Sequence, residues 1–534
     1  MKSRMPLLVF IAAAVASTLF SCATFRPFPG KYDVLGYERV AAKTAQGTVE
    51  GFVTGSKTQV FLGIPYARPP RGELRFRPPQ ELFPWSKSRE ALAFGPVCPQ
   101  IKNRLEPAGW LAQDEDCLTI NVWTPAADGA KRPVLVWIHG GGFFEGASSR
   151  PVYDGESFAR RGDIVFVSMN YRVGVLGFLY LDGLDRSLAG SGNLGFQDQI
   201  ASLKWVKANI AAFGGDPDNV TIMGESAGSF SVTTLMTLPS AKGLFNKVIA
   251  ESGVPILNRT PGFAARETAR FMELAGVDSI EELRALPVEN VLKAQERLMN
   301  DASIGAERLF MPVLDGAVIS RDPMQALMDG AGAGIPLLHG TTEDEFRFWI
   351  YVEPLIVLAS PDFLLNQAPE LKAQLGGSKD RIIEHYKKTR PSLSSGDIAM
   401  AIAGDMVFLI PHIRLAEAQA KHAKSYMYLF RWDSPVQDGK YGSHHGLEVP
   451  FVFRTIYAEN YQEFLGENPP LPLSEKMQDA WIAFVRTGNP GITGLPEWPV
   501  YDTTRRATML LDSEPKLADD PQKDIRLIYK GVLY

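Results

Sequence analysis

Short apolar runs, separated by amphipathic stretches, dominate the middle of the chain. Two of them, at 133–138 and 164–168, contain almost no polar residue, which is typical of parallel strands buried on both faces. Before the next run at 220–223, apolar residues recur every three or four positions over 195–213, and this spacing predicts an amphipathic helix. Strands that alternate with helices in this way predict an α/β protein with a mainly parallel central sheet.

Patterns on either side of this segment predict where the sheet continues and where it is interrupted. Further strands are expected at 46–53, 59–63, 118–123, 248–250, 335–339 and 426–430. The stretches 260–330 and 360–423 are mostly helical in pattern. Because they interrupt the series of strands, we expect them to be insertions that cover the functional site rather than separate domains.

The N-terminus has the pattern of a secretory signal. Lys2 and Arg4 precede a nearly unbroken apolar stretch of 15 residues at 6–20, as in a signal peptide. This stretch is shorter than the roughly 20 residues that a membrane-spanning helix needs. An uncleaved membrane anchor is therefore the less favoured alternative.

Cys22 marks the expected cleavage point. It directly follows a Leu-Phe-Ser sequence, which resembles the lipobox of bacterial lipoproteins, where the cysteine is acylated and the signal is removed just before it. We therefore expect a signal peptide of the lipoprotein type at 1–21, a tether at 22–38 and one domain at 39–534. The protein is then an exported bacterial lipoprotein, anchored to a membrane by its lipid and facing the periplasm or the cell surface.

Cysteine use agrees with export. With Cys22 occupied by lipid, Cys98 and Cys117 remain as a possible disulfide, which persists in an oxidising compartment. Two buried thiols are the alternative.

Charge excludes one class of partner. The chain has 55 basic and 60 acidic residues and a net charge of −5. It contains no basic run that would follow a phosphate backbone, so we expect no nucleic-acid partner.

A candidate nucleophile follows the strand at 220–223. Ser226 is the central residue of Gly224-Glu-Ser-Ala-Gly228, which has the spacing of a nucleophile elbow, where glycines on both sides let neighbouring backbone pass close to a strained turn. A serine that only caps a helix is the alternative for the pentapeptide alone. The preceding strand, the following helical stretch and a glycine-rich loop upstream favour the elbow.

A serine nucleophile needs a base, and position selects among the histidines. His444 and His445 lie in a turn-rich loop after the strand at 426–430. His385, His412 and His422 lie in charged helical stretches, and we expect them at the solvated surface.

The base in turn needs an acid that holds its tautomer. In α/β-hydrolases the acid comes between the serine and the histidine in the chain. Glu343, Asp344 and Glu345 follow the strand at 335–339. Spacing alone does not choose among these three carboxylates.

The glycine-rich loop His139-Gly-Gly-Gly-Phe143 supplies hydrogen-bond donors for an oxyanion. We expect these donors to be the backbone N–H groups of Gly141, Gly142 and Ala227. The loop lacks the Lys-Ser/Thr of a phosphate-binding Walker motif. His139 is expected to be structural, and no metal or cofactor is implied.

Taken together, these motifs resemble the type-B carboxylesterase and cholinesterase family of α/β-hydrolases over about 40–515. The matching stretches are Phe61-Leu-Gly-Ile-Pro-Tyr-Ala67, Glu115-Asp-Cys-Leu118, His139-Gly-Gly-Gly-Phe143, Asn170-Tyr-Arg-Val-Gly174, Gly214-Gly-Asp-Pro217, Gly224-Glu-Ser-Ala-Gly228, His445-Gly-Leu-Glu448 and Thr487-Gly-Asn-Pro490. The resemblance implies a triad of Ser226, Glu345 and His445. It also implies a disulfide between Cys98 and Cys117.

The resemblance further implies the reaction. We expect a serine carboxylic-ester hydrolase that acts on small-molecule esters through an acyl-enzyme. Glu225 would place a second carboxylate near the imidazolium; a structural role, in which it pairs with nearby polar groups, is the alternative. Phe346 replaces the glycine that usually follows the acid, which would reshape the back of the pocket. Amide or lactone hydrolysis is one alternative, and a binding or adhesion protein on the same fold is another.

Overall fold

The computed structural model describes residues 36–101, 112–301, 303, 309–352, 360–362, 365, 369–458 and 461–532. The predicted signal peptide, Cys22 and nearly all of the predicted tether lie outside the described residues.

One twisted sheet of 13 strands runs through the described part of the chain. Its strands are β1 (Arg39–Lys43), β2 (Thr48–Val53), β3 (Gln59–Pro65), β4 (Arg89–Glu90), β5 (Thr119–Thr124), β6 (Arg132–Ile138), β7 (Val165–Met169), β8 (Gly215–Glu225), β9 (Lys247–Glu251), β10 (Leu337–Thr342), β11 (Ser425–Phe430), β12 (Ala507–Leu511) and β13 (Lys516–Asp519). Their order is β1-β2-β3-β5-β7-β6-β8-β9-β10-β11-β12-β13, with β4 beside β2. The pairings from β7 to β12 are parallel, and those outside this segment, apart from β4 on β2, are antiparallel.

Burial explains why the apolar runs became the central strands. Every residue of β7, β9, β10 and β11 is buried, as expected for parallel strands covered by helices on both faces. The predicted α/β architecture with a mostly parallel sheet is confirmed. Because parallel strands share one direction, β8, β10 and β11 all end at the same edge of the sheet.

Helices cover both faces of this sheet. They span Glu156–Gly162, Gly174–Phe178, Leu194–Asn209, Ala227–Leu235, Pro261–Ala275, Ile280–Ala285, Val288–Met299, Pro323–Met328, Phe348–Val352, Pro369–Leu375, Lys379–Thr389, Ser395–Gly404, Ile410–Gln419, Val449–Phe453, Gln462–Leu465, Leu471–Thr487 and Lys523–Ile528. The predicted amphipathic helix begins at Leu194 and continues as a 3₁₀ turn, Ile210–Phe213. It ends at Gly214, whose φ of 79° lies in the left-handed region that terminates helices.

The second helical insertion forms part of the core. A π-helical turn, Asp405–Leu409, joins its helices Ser395–Gly404 and Ile410–Gln419. Among the described residues, the joined segment Ser395–Gln419 is the one helix long and apolar enough to cross a membrane, and 89% of its most apolar window is buried inside the protein. Burial within the fold accounts for its apolar composition.

The predicted disulfide is present. Cys98 and Cys117 are bonded, with Cα atoms 5.0 Å apart, and both are buried. Close by, the guanidinium of Arg75 donates two hydrogen bonds of 2.6 Å to the carboxylate of Glu115.

Candidate active site

Ser226 lies between β8 and the helix Ala227–Leu235, here called the elbow helix. Its φ of 55° is in the left-handed region, which is strained for a residue with a Cβ. The backbone N–H of Ser226 donates to the carbonyl of Glu251 at 2.9 Å and fixes the turn to the end of β9. The serine side chain remains partly exposed.

The two flanking glycines are required by close backbone contacts. A Cβ at Gly224 would lie 2.4 Å from the carbonyl carbon of Gly228. A Cβ at Gly228 would lie 2.0 Å from the carbonyl oxygen of Ile138 on β6. A side chain at either position would therefore force the backbone of the elbow to shift.

The glycine-rich loop after β6 packs against this turn. A Cβ at Gly140 would lie 3.1 Å from Cβ of Ser226. Gly141 and Gly142 have φ values of 109° and 59°, and within the described part of the chain their N–H groups donate to no protein acceptor. Ala227 begins the elbow helix, where the first N–H groups have no partner within the helix. Ala227 thus directly follows Ser226, and the loop that carries Gly141 and Gly142 packs against the elbow at Gly140.

His445 and Glu345 meet across the loops that follow β11 and β10. Nδ1 of His445 lies 2.6 Å from Oε2 of Glu345, and the backbone N–H of His445 donates to the carbonyl of Glu345 at 3.2 Å. The other carboxylate oxygen accepts from the N–H of Thr342 at 3.0 Å. Both side chains are largely buried, with 12% and 2% of their surface exposed.

The neighbouring carboxylates point elsewhere. Glu343 accepts from Nε of Arg431 at 2.9 Å. Asp344 pairs with Arg347 at 3.3 Å. The structure thus brings Glu345, and neither of its two neighbours, to His445, which the family resemblance implies as the base.

The other histidine of the loop has a different environment. Nδ1 of His444 contacts the carbonyl of His445 at 3.0 Å. Burial lowers the pKa of His444 to about 4. His444 is therefore neutral at neutral pH and is held by backbone rather than by a carboxylate.

Glu225 approaches the imidazole from the opposite side. Its Oε1 lies 3.2 Å from Nε2 of His445. Burial alone would lower the pKa of His445, but Glu225 and Glu345 outweigh it and raise that pKa to about 9. Burial raises the pKa of Glu225 to about 7, against the opposing effect of His445. Within the described residues, the hydroxyl of Ser226 has no hydrogen-bond partner, so the ring faces Glu225 in this structure.

The sequence of this chain is similar to those of known hydrolases. The model of the Carboxylesterase family matches residues 38–527. The chain belongs to this family. Para-nitrobenzyl esterase of Bacillus subtilis (strain 168) is 38% identical over 490 residues, which cover 90% of this chain and 97% of the relative. Phenmedipham hydrolase of Pseudarthrobacter oxydans is 35% identical over 494 residues, which cover 89% of this chain and 96% of the relative.

This chain is also similar to solved structures of carboxylesterases. The crystal structure of the Geobacillus stearothermophilus carboxylesterase EST55 at pH 6.2 matches with a TM-score of 0.83 and 40% identity, and it covers 92% of this chain and 100% of that chain. The fold is that of the α/β-hydrolases, as the resemblance implied. The enzyme class is a carboxylesterase, a serine hydrolase of carboxylic ester bonds.

Sequence reasoning missed two buried carboxyls behind the site. Oε1 of Glu251 accepts from Nε1 of Trp481 at 2.5 Å, and burial raises the pKa of Glu251 to about 8. Glu448 accepts from Oγ of Ser252 at 3.1 Å, and burial raises its pKa as well. A signal for Glu251 was present, because it ends an apolar strand at the same edge of the sheet as Glu225.

An aromatic wall surrounds the imidazole of this esterase. The ring of Phe408 lies 4.9 Å from that of His445, and Trp349 lies 6.0 Å from it. Phe346 stacks on Trp349 at 4.6 Å. Phe346 thus adds bulk to this wall.

Three histidines that were predicted at the solvated surface, His385, His412 and His422, differ in their burial. The predicted surface position of His412 is wrong, because this residue is fully buried. His422 is exposed and His385 is half-buried. The structural role predicted for His139 agrees with its burial and with its stacking on Tyr171 at 4.3 Å.

Across the ranges that the structure describes, no group of three or more His, Cys, Asp and Glu residues is arranged to hold a metal ion.

Proposed function

We propose that this esterase hydrolyses small carboxylic esters with Ser226 as nucleophile, His445 as general base and acid, and Glu345 as the carboxylate that orients the imidazole. The observation that carries the assignment is the 2.6 Å contact between Nδ1 of His445 and Oε2 of Glu345. A carboxylate at this position keeps the proton on Nδ1 and leaves Nε2 able to accept one.

The reaction then proceeds in two halves. Oγ of Ser226 bonds to the ester carbonyl carbon and its proton moves to Nε2 of His445. The carbonyl oxygen, now negative, accepts hydrogen bonds from Gly141, Gly142 and Ala227. The alcohol leaves with the proton from Nε2. Water attacks the acyl group in the same way, gives its proton to Nε2, and the acid departs as the proton returns to Oγ.

Glu225 adds a second electrostatic contribution. The carboxylate of Glu225 lies 3.2 Å from Nε2 of His445. For the reaction, the ring must give up this contact and bring Nε2 to the hydroxyl of Ser226. An ionised Glu225 stabilises the imidazolium that forms in each half of the reaction.

The surroundings of the imidazole favour apolar esters. The rings of Phe346, Trp349 and Phe408 are buried around His445, and an apolar wall binds an apolar acyl or alcohol group by removing its surface from water. The name of the para-nitrobenzyl esterase relative supports an aromatic ester as one substrate.

A panel of chromogenic esters of increasing acyl length, each beside its matched anilide, tests this function. We expect the esters to be cleaved with a burst of released alcohol, the anilides far more slowly, and Ser226→Ala to abolish both activities. Faster cleavage of anilides would contradict the ester assignment. Full activity of a folded Ser226→Ala protein would contradict the nucleophile.

We also propose that a lipid on Cys22 anchors the protein to a membrane on the exported side. The support is the sequence: a positive start, an apolar stretch at 6–20 and a cysteine after Leu-Phe-Ser. The wild type should fractionate with membranes, and Cys22→Ser should abolish lipid labelling and leave the precursor uncleaved. Normal cleavage with lipid-free secretion of the wild type would contradict the anchor.

A further inference from the structure

Two buried histidines lie behind the nucleophile, outside the chemistry described above. His339 belongs to β10 and His412 to the helix Ile410–Gln419, and neither has exposed surface. Their Nδ1 atoms are 3.1 Å apart, and their rings are nearly parallel, with 13° between the planes. At the far end, Nε2 of His339 lies 3.1 Å from Oγ of Ser425.

The near end of this pair holds Gly253. The backbone N–H of Gly253 donates to Nε2 of His412 at 2.8 Å. The carbonyl of the same glycine accepts from Oγ of Ser229, in the elbow helix, at 2.6 Å. Gly253 is therefore fixed from both sides, by the helical insertion and by the elbow helix.

Gly253 also touches the nucleophile. A Cβ at Gly253 would lie 2.6 Å from the carbonyl oxygen of Ser226 and 2.7 Å from the ring of Phe230. The residue before it, Ser252, has a φ of 52°, in the strained left-handed region. Because interiors are close-packed, a shift of the Gly253 backbone moves the turn that carries Ser226.

Donor and acceptor counting assigns the protons of the pair. A backbone N–H only donates, so Nε2 of His412 must be an acceptor. The proton of a neutral His412 is then on Nδ1, from which it donates to Nδ1 of His339. The proton of His339 is in turn on Nε2 and donates to Oγ of Ser425. A second proton on either ring would place two N–H donors against each other.

Burial favours this neutral arrangement. It lowers the pKa of His339 to about 3. Burial also lowers the pKa of His412 well below its ordinary value, and the neighbouring His339 acts in the same direction. Both rings are therefore uncharged at neutral pH.

We propose that His412 is a positioning residue for ester hydrolysis. It fixes Gly253, and through Gly253 the turn of Ser226, and the hydrogen bond from His339 to Ser425 selects the tautomer that lets it do so. The inference rests on the proposed function of Ser226. His412 touches neither substrate nor the reacting atoms.

Two substitutions at one position test the role of the acceptor. His412→Leu removes the acceptor for the Gly253 N–H, whereas His412→Gln keeps a carbonyl oxygen near the position of Nε2. We expect kcat of His412→Leu to fall by about 10- to 100-fold with KM nearly unchanged, because a small misplacement of the nucleophile affects the reacting geometry. His412→Gln should recover most of this loss.

A core variant separates positioning from lost stability. Leu298→Ala removes a buried side chain of the helix Val288–Met299, which contributes no residue to the triad or to the oxyanion donors. Compared at matched folded fractions, it should keep the wild-type kcat. Wild-type kcat in folded His412→Leu, or equal impairment of His412→Leu and His412→Gln, would overturn the proposal.

A spectroscopic measurement on the wild-type full-length protein tests the assigned tautomers of His339 and His412 even if His412→Leu does not fold. Long-range ¹H–¹⁵N correlation spectra of histidine-labelled protein at neutral pH should show both rings neutral, with the proton of His412 on Nδ1 and that of His339 on Nε2. Assignment uses His339→Asn and His412→Gln. A proton on Nε2 of His412, or a charged ring, would overturn the inference. This result does not depend on activity, so it is distinguishable from a failure of the proposed triad.

Discussion

Oε1 of Glu225 lies 3.2 Å from Nε2 of His445, on the side of the ring opposite Glu345. The imidazole is thus held between two carboxylates in a buried site. Each carboxylate stabilises the protonated ring. Together they therefore make the neutral form, which acts as base, less favourable relative to the imidazolium.

This relationship predicts the pH dependence of the reaction. The reference pKa of histidine, about 6.5, places the rise of kcat/KM near neutral pH, but Glu225 and Glu345 raise the pKa of His445 to about 9. The rise in kcat/KM should therefore have its midpoint above pH 6.5.

The same raised pKa affects the stability of the fold. Because the folded-state pKa of His445 is raised, the stability that His445 contributes is present below the unfolded pKa and is lost as pH rises through about 9.

Glu225→Gln tests the cause of this shift. Loss of one carboxylate removes part of the attraction for the proton, so the rise in kcat/KM should move to lower pH, while kcat at its plateau decreases as the imidazolium loses a partner. A pH profile of kcat/KM for both proteins is the measurement. An unchanged profile would show that Glu225 does not act on His445 in solution.

A second prediction concerns the elbow. Gly228→Ala places a Cβ 2.0 Å from the carbonyl oxygen of Ile138, and such overpacking costs about 1–3 kcal/mol or more of unfolding free energy. Gly262→Ala is the control, because a Cβ there meets nothing within 4 Å. We expect denaturant titrations to show destabilisation and loss of kcat for Gly228→Ala, with neither effect for Gly262→Ala. Equal stabilities would mean that the turn is looser than described.

The disulfide gives a third prediction. The bond between Cys98 and Cys117 closes a segment with a sequence separation of 19, which corresponds to about 3 kcal/mol on the chain-entropy account. The double variant Cys98→Ser with Cys117→Ser should unfold at lower denaturant than the wild type. Reduction of the wild type should give the same decrease, while leaving the double variant unaffected. A reductant-insensitive wild type would argue against the bond.

Features that depend on neighbouring residues were predictable from sequence. The buried parallel strands follow from unbroken apolar runs such as 133–138, and the elbow follows from Gly224 and Gly228, whose spacing reflects a local backbone conformation. The end of the long helix at Gly214 has the same local origin.

Features that depend on contacts between residues distant in sequence were not predictable from the sequence. His412 lies beside Arg414 and Glu417, charges that suggest a surface helix, yet its own face packs on β10 and Gly253. The choice of Glu345 over Glu343 depends on how one loop turns toward another about a hundred residues later. The buried carboxyl of Glu448 was missed because such groups usually lie in water.

The central claim is that Glu345 orients His445 toward Ser226, and the amide substitution at Glu345 tests it most directly. Glu345→Gln keeps the shape and the bond to the Thr342 N–H, but an amide N–H at Nδ1 favours the tautomer whose Nε2 cannot accept the serine proton. The corresponding change in a serine protease lowers kcat about 10⁴-fold.

The measurement is kcat on a chromogenic ester for Glu345→Gln beside Glu343→Gln, with thermal melts to establish that both are folded. Glu343 pairs with Arg431 and not with the imidazole, so its variant controls for loss of charge in the same loop. We predict a loss of several orders of magnitude for Glu345→Gln and near wild-type kcat for Glu343→Gln. Near wild-type kcat in Glu345→Gln, or an inactive Glu343→Gln, would contradict the account.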